Sequence, residues 1–317
     1  MTQLLLLLSM PEGIRMQYRD RIRAAFPDVT VNVVDHHSKV DPYIASADIL
    51  MTFGPMMSER VLEQGASLKW IQALGTGVDG IVDRATLRKE VVVTNLHGVH
   101  GPPVSEAALM SMLALSRGLP RTLRNQAQHK WERFPARLLK DKIVAIYGIG
   151  VIAEELAPKC KAFGMTVVGI SSTRTSVPGF DRIHARAELA EAVRSADYLV
   201  LLTPYTAATR HSVDAGVLAA MKPAAYLINL ARGGVVDEAA LLDVLSRKRI
   251  AGAALDVFAE EPLPADHPFW AMEDVIITTH QGGFCDVYVN FAMPVILENL
   301  RRFLAGDRAG MVNLVKR

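Results

Sequence analysis

Three short segments put an arginine, carboxylates and a histidine where acid–base chemistry on an anionic substrate needs them. They are Asn229-Leu230-Ala231-Arg232-Gly233-Gly234, Leu255-Asp256-Val257-Phe258-Ala259-Glu260-Glu261-Pro262 and Thr279-His280-Gln281-Gly282-Gly283. Each follows an apolar run that reads as a buried parallel strand, and an open α/β sheet binds its ligand at the carboxyl ends of its strands. A guanidinium offers a planar fork that grips a carboxylate and polarises a neighbouring carbonyl, a geometry that lysine does not reproduce. An imidazole exchanges a proton near neutral pH, and a carboxylate beside it orients the ring and favours its charged form. Of the nine histidines, His280 alone ends a strand before glycines, whereas His97 and His100 read as solvated loop residues. Glu260 and Glu261 are equally charged neighbours, and residue type alone does not separate them.

A fourth segment carries a different chemistry. The apolar run Ile143 to Tyr147 leads into Gly148-Ile149-Gly150-Val151-Ile152-Ala153, and a helix-like stretch follows as far as Phe163-Gly164. In this G-x-G-x-x-A pattern the first glycine permits a tight turn and the second lets the backbone approach a pyrophosphate. A small third residue lets helix pack on strand, so Gly148, Gly150, Val151 and Ile152 are candidate dinucleotide contacts. Pro158, inside that helix, is expected to kink it. The next strand, Thr166 to Ile170, ends in Ser171-Ser172-Thr173-Arg174, where a site built for NAD places Asp or Glu on the ribose 2′-hydroxyl. Three hydroxyls and the Arg174 guanidinium suit a 2′-phosphate instead, so NADP is the expected cofactor and NAD the second choice.

These segments need sheets to hold them. The 317 residues exceed one ordinary domain, and half of them are apolar, which fits two well-buried α/β units. Leu4 to Leu8 reads as a buried first strand rather than a secretory core, because no basic residue precedes it and Pro11-Glu12-Gly13 cuts it short. Ile14 to Phe26 follows as a helix, with strands at Thr30 to Val34 and Ala47 to Met51. A domain boundary falls near Asn95-Leu96-His97-Gly98, before an apolar helix expected from about Ser105 to Arg117-Gly118. Beyond Lys142 six buried strands are expected: 143–147, 166–170, 198–203, 225–230, 251–255 and 275–279. A last helix runs from about Tyr288 to Leu304. The formal charge of +2, with no run of five like charges, leaves no electrostatic footprint for nucleic acid, and no stretch of about 18 uncharged apolar residues suggests a membrane span. Cys160 and Cys285 lie far apart, so no disulfide framework or cysteine-built metal site is expected, and a cytoplasmic setting follows.

In this order the motifs resemble the D-isomer-specific 2-hydroxyacid dehydrogenase family, glyoxylate/hydroxypyruvate reductases included, over nearly the whole chain. Gly75-Thr76-Gly77-Val78-Asp79 is similar to the family's substrate-carboxylate loop, Val104-Ser105-Glu106 to its V-A-E helix start, and Thr203-Pro204-Tyr205-Thr206 with Thr209 to its L-P-x-T segment. The resemblance implies a Rossmann-type doubly wound parallel sheet domain over residues 99–289. It also implies a flavodoxin-like α/β substrate domain over 1–98, completed by 290–317, with an active cleft between the two. By resemblance the catalytic residues are Arg232, Glu261 and His280, with Glu261 chosen over Glu260 because it stands beside Pro262. Thr76 and Gly77 would hold the substrate carboxylate through backbone N–H groups, with Phe53 beside a small substituent. Asp256 would meet the nicotinamide carboxamide, and Thr203, Pro204, Thr209, Leu230, Ala231, His280 and Gly282 would line the cofactor. Relatives are typically homodimers.

The expected reaction is hydride transfer between NADPH and a small 2-keto acid such as glyoxylate or hydroxypyruvate, with His280 giving the proton. Thr279 and Gln281 depart from the usual neighbours of the histidine, proline before it and a small or apolar residue after it, and Gln281 adds an amide that can reach substrate or cofactor. A phosphoglycerate dehydrogenase-like enzyme is the first alternative, but Met51-Thr52-Phe53-Gly54-Pro55-Met56 offers no basic residue for a phosphate. A nucleotide-sensing corepressor on the same fold is the second.

Overall fold

The computed structural model describes residues 1–316. The chain divides into two compact units, one formed by Met1–Val99 with the residues from Cys285 onward, the other by His100–Phe284.

The first unit holds β1 (Thr2–Leu7), α1 (Glu12–Ala25), β2 (Val29–Val34), α2 (Asp41–Ile44), β3 (Ile49–Thr52), α3 (Glu59–Gln64), β4 (Trp70–Ala73) and β5 (Val92–Thr94). All five strands are parallel, in the order β2-β1-β3-β4-β5, the flavodoxin-like 2-1-3-4-5 arrangement. The leucine run explains itself through the two-residue period of a strand. Leu4, Leu6 and Leu8 enter one core with Tyr18 and Ile22 of α1, while Leu5 and Leu7 enter the opposite core with Ile44, Val61 and Ile71. A strand covered on both faces needs no polar alternation, so its sequence looks uniformly apolar. β4 and β5 lie outside the strands that the sequence predicts, being only four and three residues long.

The C-terminal helix Tyr288–Leu304 returns to this unit and buries Tyr288, Ala292, Ile296 and Asn299 on one stripe. The Tyr288 hydroxyl donates to the Leu74 carbonyl at 2.7 Å. Asn299 donates from Nδ2 to Gln72 Oε1 at 3.1 Å and to the Val312 carbonyl at 3.0 Å. Its Oδ1 accepts the Val312 N–H, so the tail is tied through Asn299 to β4.

The second unit holds α4 (Gly101–Ser116), α5 (Leu119–Ala127), β6 (Ile143–Tyr147), α6 (Val151–Ala162), β7 (Thr166–Ser171), β8 (Arg182–Ala185), α7 (Leu189–Ser195), β9 (Tyr198–Leu201), α8 (Ala215–Ala220), β10 (Tyr226–Asn229), α9 (Glu238–Ser246), β11 (Gly252–Leu255) and β12 (Val275–Ile277). Its seven parallel strands run β12-β11-β10-β9-β6-β7-β8. Counted from β6, this is the Rossmann 3-2-1-4-5-6 order with β12 added, and the strand order reverses between β6 and β9. Ala145 and Tyr147 fill the core on one face, Val144 and Ile146 the core on the other.

Two expectations need correction. The sheet has a seventh strand, β8, whose Arg-Ile-His-Ala sequence lacks an apolar run because it is an edge strand paired only with β7. Helix α4 begins at Gly101, four residues before Ser105, since Pro102 and Pro103 occupy first-turn positions where a missing N–H costs nothing. Helix α6 runs from Val151 to Ala162 through Pro158. No described helix is long and apolar enough to cross a membrane.

Candidate active site

The turn after β6 has the backbone that its glycines allow. Gly148 sits at φ +103°, and a Cβ there would lie 2.6 Å from the Thr203 nitrogen, so the glycine turn packs directly on the end of β9. Gly150 is the reverse case: a Cβ there would meet nothing within 4 Å. It precedes α6 without any side-chain cap, leaving the first-turn N–H groups of Val151 and Ile152 without helical acceptors. Ala153 is fully buried between helix and sheet. An open glycine face at an uncapped helix N-terminus fits a dinucleotide pyrophosphate, so the residues present fit a nicotinamide cofactor.

At the end of β7 the Ser171 hydroxyl accepts the N–H groups of Thr173 at 3.2 Å and Arg174 at 3.0 Å, which curls Ser171–Arg174 into a compact loop. Arg174 pairs with Glu154 of α6 at 2.9 Å, with both side chains nearly half exposed. The strand end itself carries no carboxylate, but this one reaches it from the neighbouring helix, a contact that linear spacing does not reveal. Thr209 is buried, and its hydroxyl donates to the Pro204 carbonyl at 2.7 Å and accepts the Thr206 N–H at 2.8 Å. It closes the Thr203–Thr209 loop from within. Tyr205 on that loop lies over Gly234, where an added Cβ would come within 2.7 Å of its ring.

The ends of β10 and β11 interlock. Asn229 accepts the Ala231 N–H and donates to the Arg232 carbonyl, and Arg232 itself is extended at φ −149°, ψ 149°. A Cβ on Gly233 would fall 1.9 Å from the Phe258 carbonyl carbon, so the two loops touch backbone to backbone. The Phe258 N–H donates to Glu261 Oε1 at 3.0 Å, and Glu261 Oε2 stands 2.6 Å from His280 Nδ1. Glu260 is exposed and Glu261 takes the histidine. Burial acts to raise the Glu261 carboxyl, but hydrogen bonds from His280 and Phe258, with the charges of His280 and Arg232, outweigh it and hold the group below its ordinary 4.5. With Nδ1 given to the carboxylate, Nε2 is the ring nitrogen left for a substrate. Among the described residues no cluster of His, Cys, Asp or Glu is arranged to hold a metal.

Asp256 is buried, and both of its oxygens are engaged. Oδ1 accepts the Thr278 hydroxyl at 2.5 Å and the Gln281 N–H at 2.9 Å, and Oδ2 accepts the Gly282 N–H at 2.9 Å. The position of Gln281 in the site is thus fixed through its backbone. His100 corrects an expectation: its ring lies against Gly283, 2.9 Å from where a Cβ would stand, so only His97 of that pair is an exposed loop residue.

Phe53, Thr76 and Gly77 belong to the other unit. There the Phe53 ring lies 3.6 Å from a Cβ position on Gly75, and the Thr76 carbonyl accepts from Asn95 Nδ2 at 2.8 Å.

The profile of the D-isomer specific 2-hydroxyacid dehydrogenase family, NAD binding domain, matches residues 109–282. The chain belongs to this family. A family member of known structure, from Aeromonas salmonicida subsp. salmonicida A449, is 32% identical, superposes with a TM-score of 0.88 and is covered over 99% of each chain. The NADPH-dependent glyoxylate/hydroxypyruvate reductase of Sinorhizobium meliloti, solved with NADP and sulfate, is 25% identical with a TM-score of 0.85 over 100% of this chain and 98% of that one. A D-3-phosphoglycerate dehydrogenase from Methanocaldococcus jannaschii is 33% identical over 279 residues, 86% of this chain and 52% of its own length. The chain spans about half the length of that relative. Arg232, Glu261 and His280 follow β10, β11 and β12, three adjacent strands of one sheet.

Proposed function

We propose that this protein reduces a small, unphosphorylated 2-keto acid, of the glyoxylate or hydroxypyruvate type, to the D-2-hydroxy acid with NADPH. The observation that carries the reading is the 2.6 Å contact between His280 Nδ1 and Glu261 beside Arg232, in the same sheet as the glycine turn. A nicotinamide dinucleotide whose pyrophosphate was held at that turn would supply a hydride to C2 of the keto acid. Arg232 grips the substrate carboxylate and polarises the carbonyl, which lowers the cost of charge developing on its oxygen. His280 gives that oxygen its proton from Nε2, and Glu261 stabilises the charged ring before the transfer and fixes its orientation. The hydride becomes the new C–H, the proton the new O–H, and His280 recovers its proton from water.

Reduction needs the ring held where its proton can reach the substrate oxygen, so Glu261→Gln, which loses the carboxylate that orients the ring, is expected to lower kcat/KM about 10- to 100-fold. On the acid side the depressed carboxyl keeps the pair intact above 4.5 and loses it as pH falls through its lower folded value, a loss that Glu261→Gln removes. Initial rates of both proteins from pH 3 to 8 check the acid limb, and superimposable profiles of equal height would remove Glu261 from the mechanism.

For the cofactor, the loop Ser171–Arg174 supports NADPH, in keeping with the NADP in the Sinorhizobium meliloti reductase. The Arg174–Glu154 pair is half exposed and worth about 0–1 kcal/mol, so a 2′-phosphate displaces the carboxylate at little cost. Arg174→Ala is expected to raise KM for NADPH about tenfold and leave KM for NADH unchanged, measured by steady-state kinetics. An equal effect on both would contradict the role.

A homodimer is part of the same proposal. Trp131 is 96% exposed, and Leu123, Leu138 and Met110 are each at least half exposed around α4, α5 and the segment that follows, apolar side chains that a second copy would cover. Light scattering is expected to give twice the 34.6 kDa chain mass. The two free thiols, Cys160 buried, fit a reducing cytoplasm.

The test of the reaction is NADPH and NADH oxidation with a panel of 2-keto acids, one of them phosphorylated. Fastest turnover of an unphosphorylated acid is expected. A marked preference for the phosphorylated one would favour a phosphoglycerate dehydrogenase-like enzyme, and no turnover of any would defeat the reading.

A further inference from the structure

We infer that Thr278, acting through Asp256, is a positioning residue that sets the place of His280; the inference rests on the proposed role of His280. It starts from a cost. A buried carboxylate is unfavourable unless its lone pairs are taken up by donors, and Asp256 is only 3% exposed. Three donors reach it, and all belong to one five-residue segment that brackets the histidine: the Thr278 hydroxyl before it, the Gln281 and Gly282 N–H groups after it. The backbone adds two more ties, from the Thr278 N–H to the Leu255 carbonyl at 3.0 Å and from the His280 N–H to the Asp256 carbonyl at 2.8 Å.

The ties hold His280 in a conformation that the chain does not adopt freely. Its φ is +52°, in the left-handed region, which persists at a non-glycine residue only where the surroundings enforce it. The strained turn ends the strand and swings the ring onto Glu261. Gly282 completes the fit, because a Cβ there would press on Asp256 Oδ2 at 2.9 Å. Of the three donors, two are backbone, so Thr278 supplies the one side-chain contact. Its neighbour Thr279 is exposed.

Thr278→Val keeps the shape and removes the hydroxyl, and Thr278→Ser keeps the hydroxyl. The Val variant is expected to lose about 10- to 100-fold in kcat, as for a reacting group displaced by a fraction of an ångström to 1 Å, while its Kd for NADPH from fluorescence titration stays within about twofold of wild type. The second readout needs no turnover: in 15N-histidine-labelled protein, the downfield Nδ1–H signal of His280 bonded to Glu261 is expected in wild type and the Ser variant and broadened or lost in the Val variant. A Val variant that binds NADPH with an unchanged signal and unchanged kcat overturns the inference, as does a Ser variant as impaired as Val. If wild type reduces no keto acid, the proposed reaction fails, and the imidazole signal alone decides whether Thr278 positions the ring.

Discussion

His280→Asn is expected to lower kcat for keto-acid reduction by about 10²- to 10⁴-fold, the range for removing a positioned general acid, with NADPH affinity nearly unchanged. Asparagine is the informative replacement because the residue sits at φ +52°, a region that asparagine tolerates and alanine resists. His280→Ala therefore adds backbone strain to the loss of the acid. The side chain is 41% exposed, so its removal opens no cavity and the fold survives. Steady-state rates with a fluorescence titration of NADPH separate the two effects. Full activity in the Asn variant would mean that the proton comes from elsewhere.

Gly233→Ala is expected to damage both stability and activity, because the new methyl has nowhere to go. Its carbon would stand 1.9 Å from the Phe258 carbonyl carbon, 2.1 Å from the oxygen and 2.3 Å from the Ala259 nitrogen. These are backbone atoms between two strand ends, and they yield only if the loops separate. Overpacking against backbone costs about 1–3 kcal/mol or more, which for a unit of this size lowers Tm by roughly 2–12 °C. The loops that separate carry Arg232 on one side and the Phe258 N–H that holds Glu261 on the other, so kcat/KM falls by about 10²-fold in what remains folded. Gly13→Ala is the control: a Cβ there meets nothing within 4 Å, the site lies in the first turn of α1, and stability holds or rises slightly. Thermal melts of both variants, with rates below the transition, check the contrast.

The parts of this protein that sequence makes legible are those in which one local rule decides. The glycine turn after β6 demands φ above zero at Gly148 and an open face at Gly150, and only glycine at those spacings provides both. The uniform leucines of β1 announce a strand covered on both faces. His280 stands out because a lone histidine ends a strand before glycines. Features that depend on what a distant segment brings stay hidden. Strand β8 is made by pairing with β7 rather than by its own Arg-Ile-His-Ala residues. The prolines at the start of α4 look like a break until the helix is seen to begin at them. Glu154 meets Arg174 across 20 residues, and Thr278 meets Asp256 across 22. Asp256 is expected by resemblance to meet a cofactor, and its sequence position does not reveal that its oxygens also accept from the segment that carries the histidine.

The central claim is that Arg232, Glu261 and His280 direct hydride and proton to a 2-keto acid so that a D-2-hydroxy acid forms. Chiral chromatography of the product from a prochiral 2-keto acid, reduced by the purified protein with NADPH, tests it most directly. The D-isomer alone, formed in step with NADPH consumed, is the predicted result, and the L-isomer, a racemate or no hydroxy acid would contradict it.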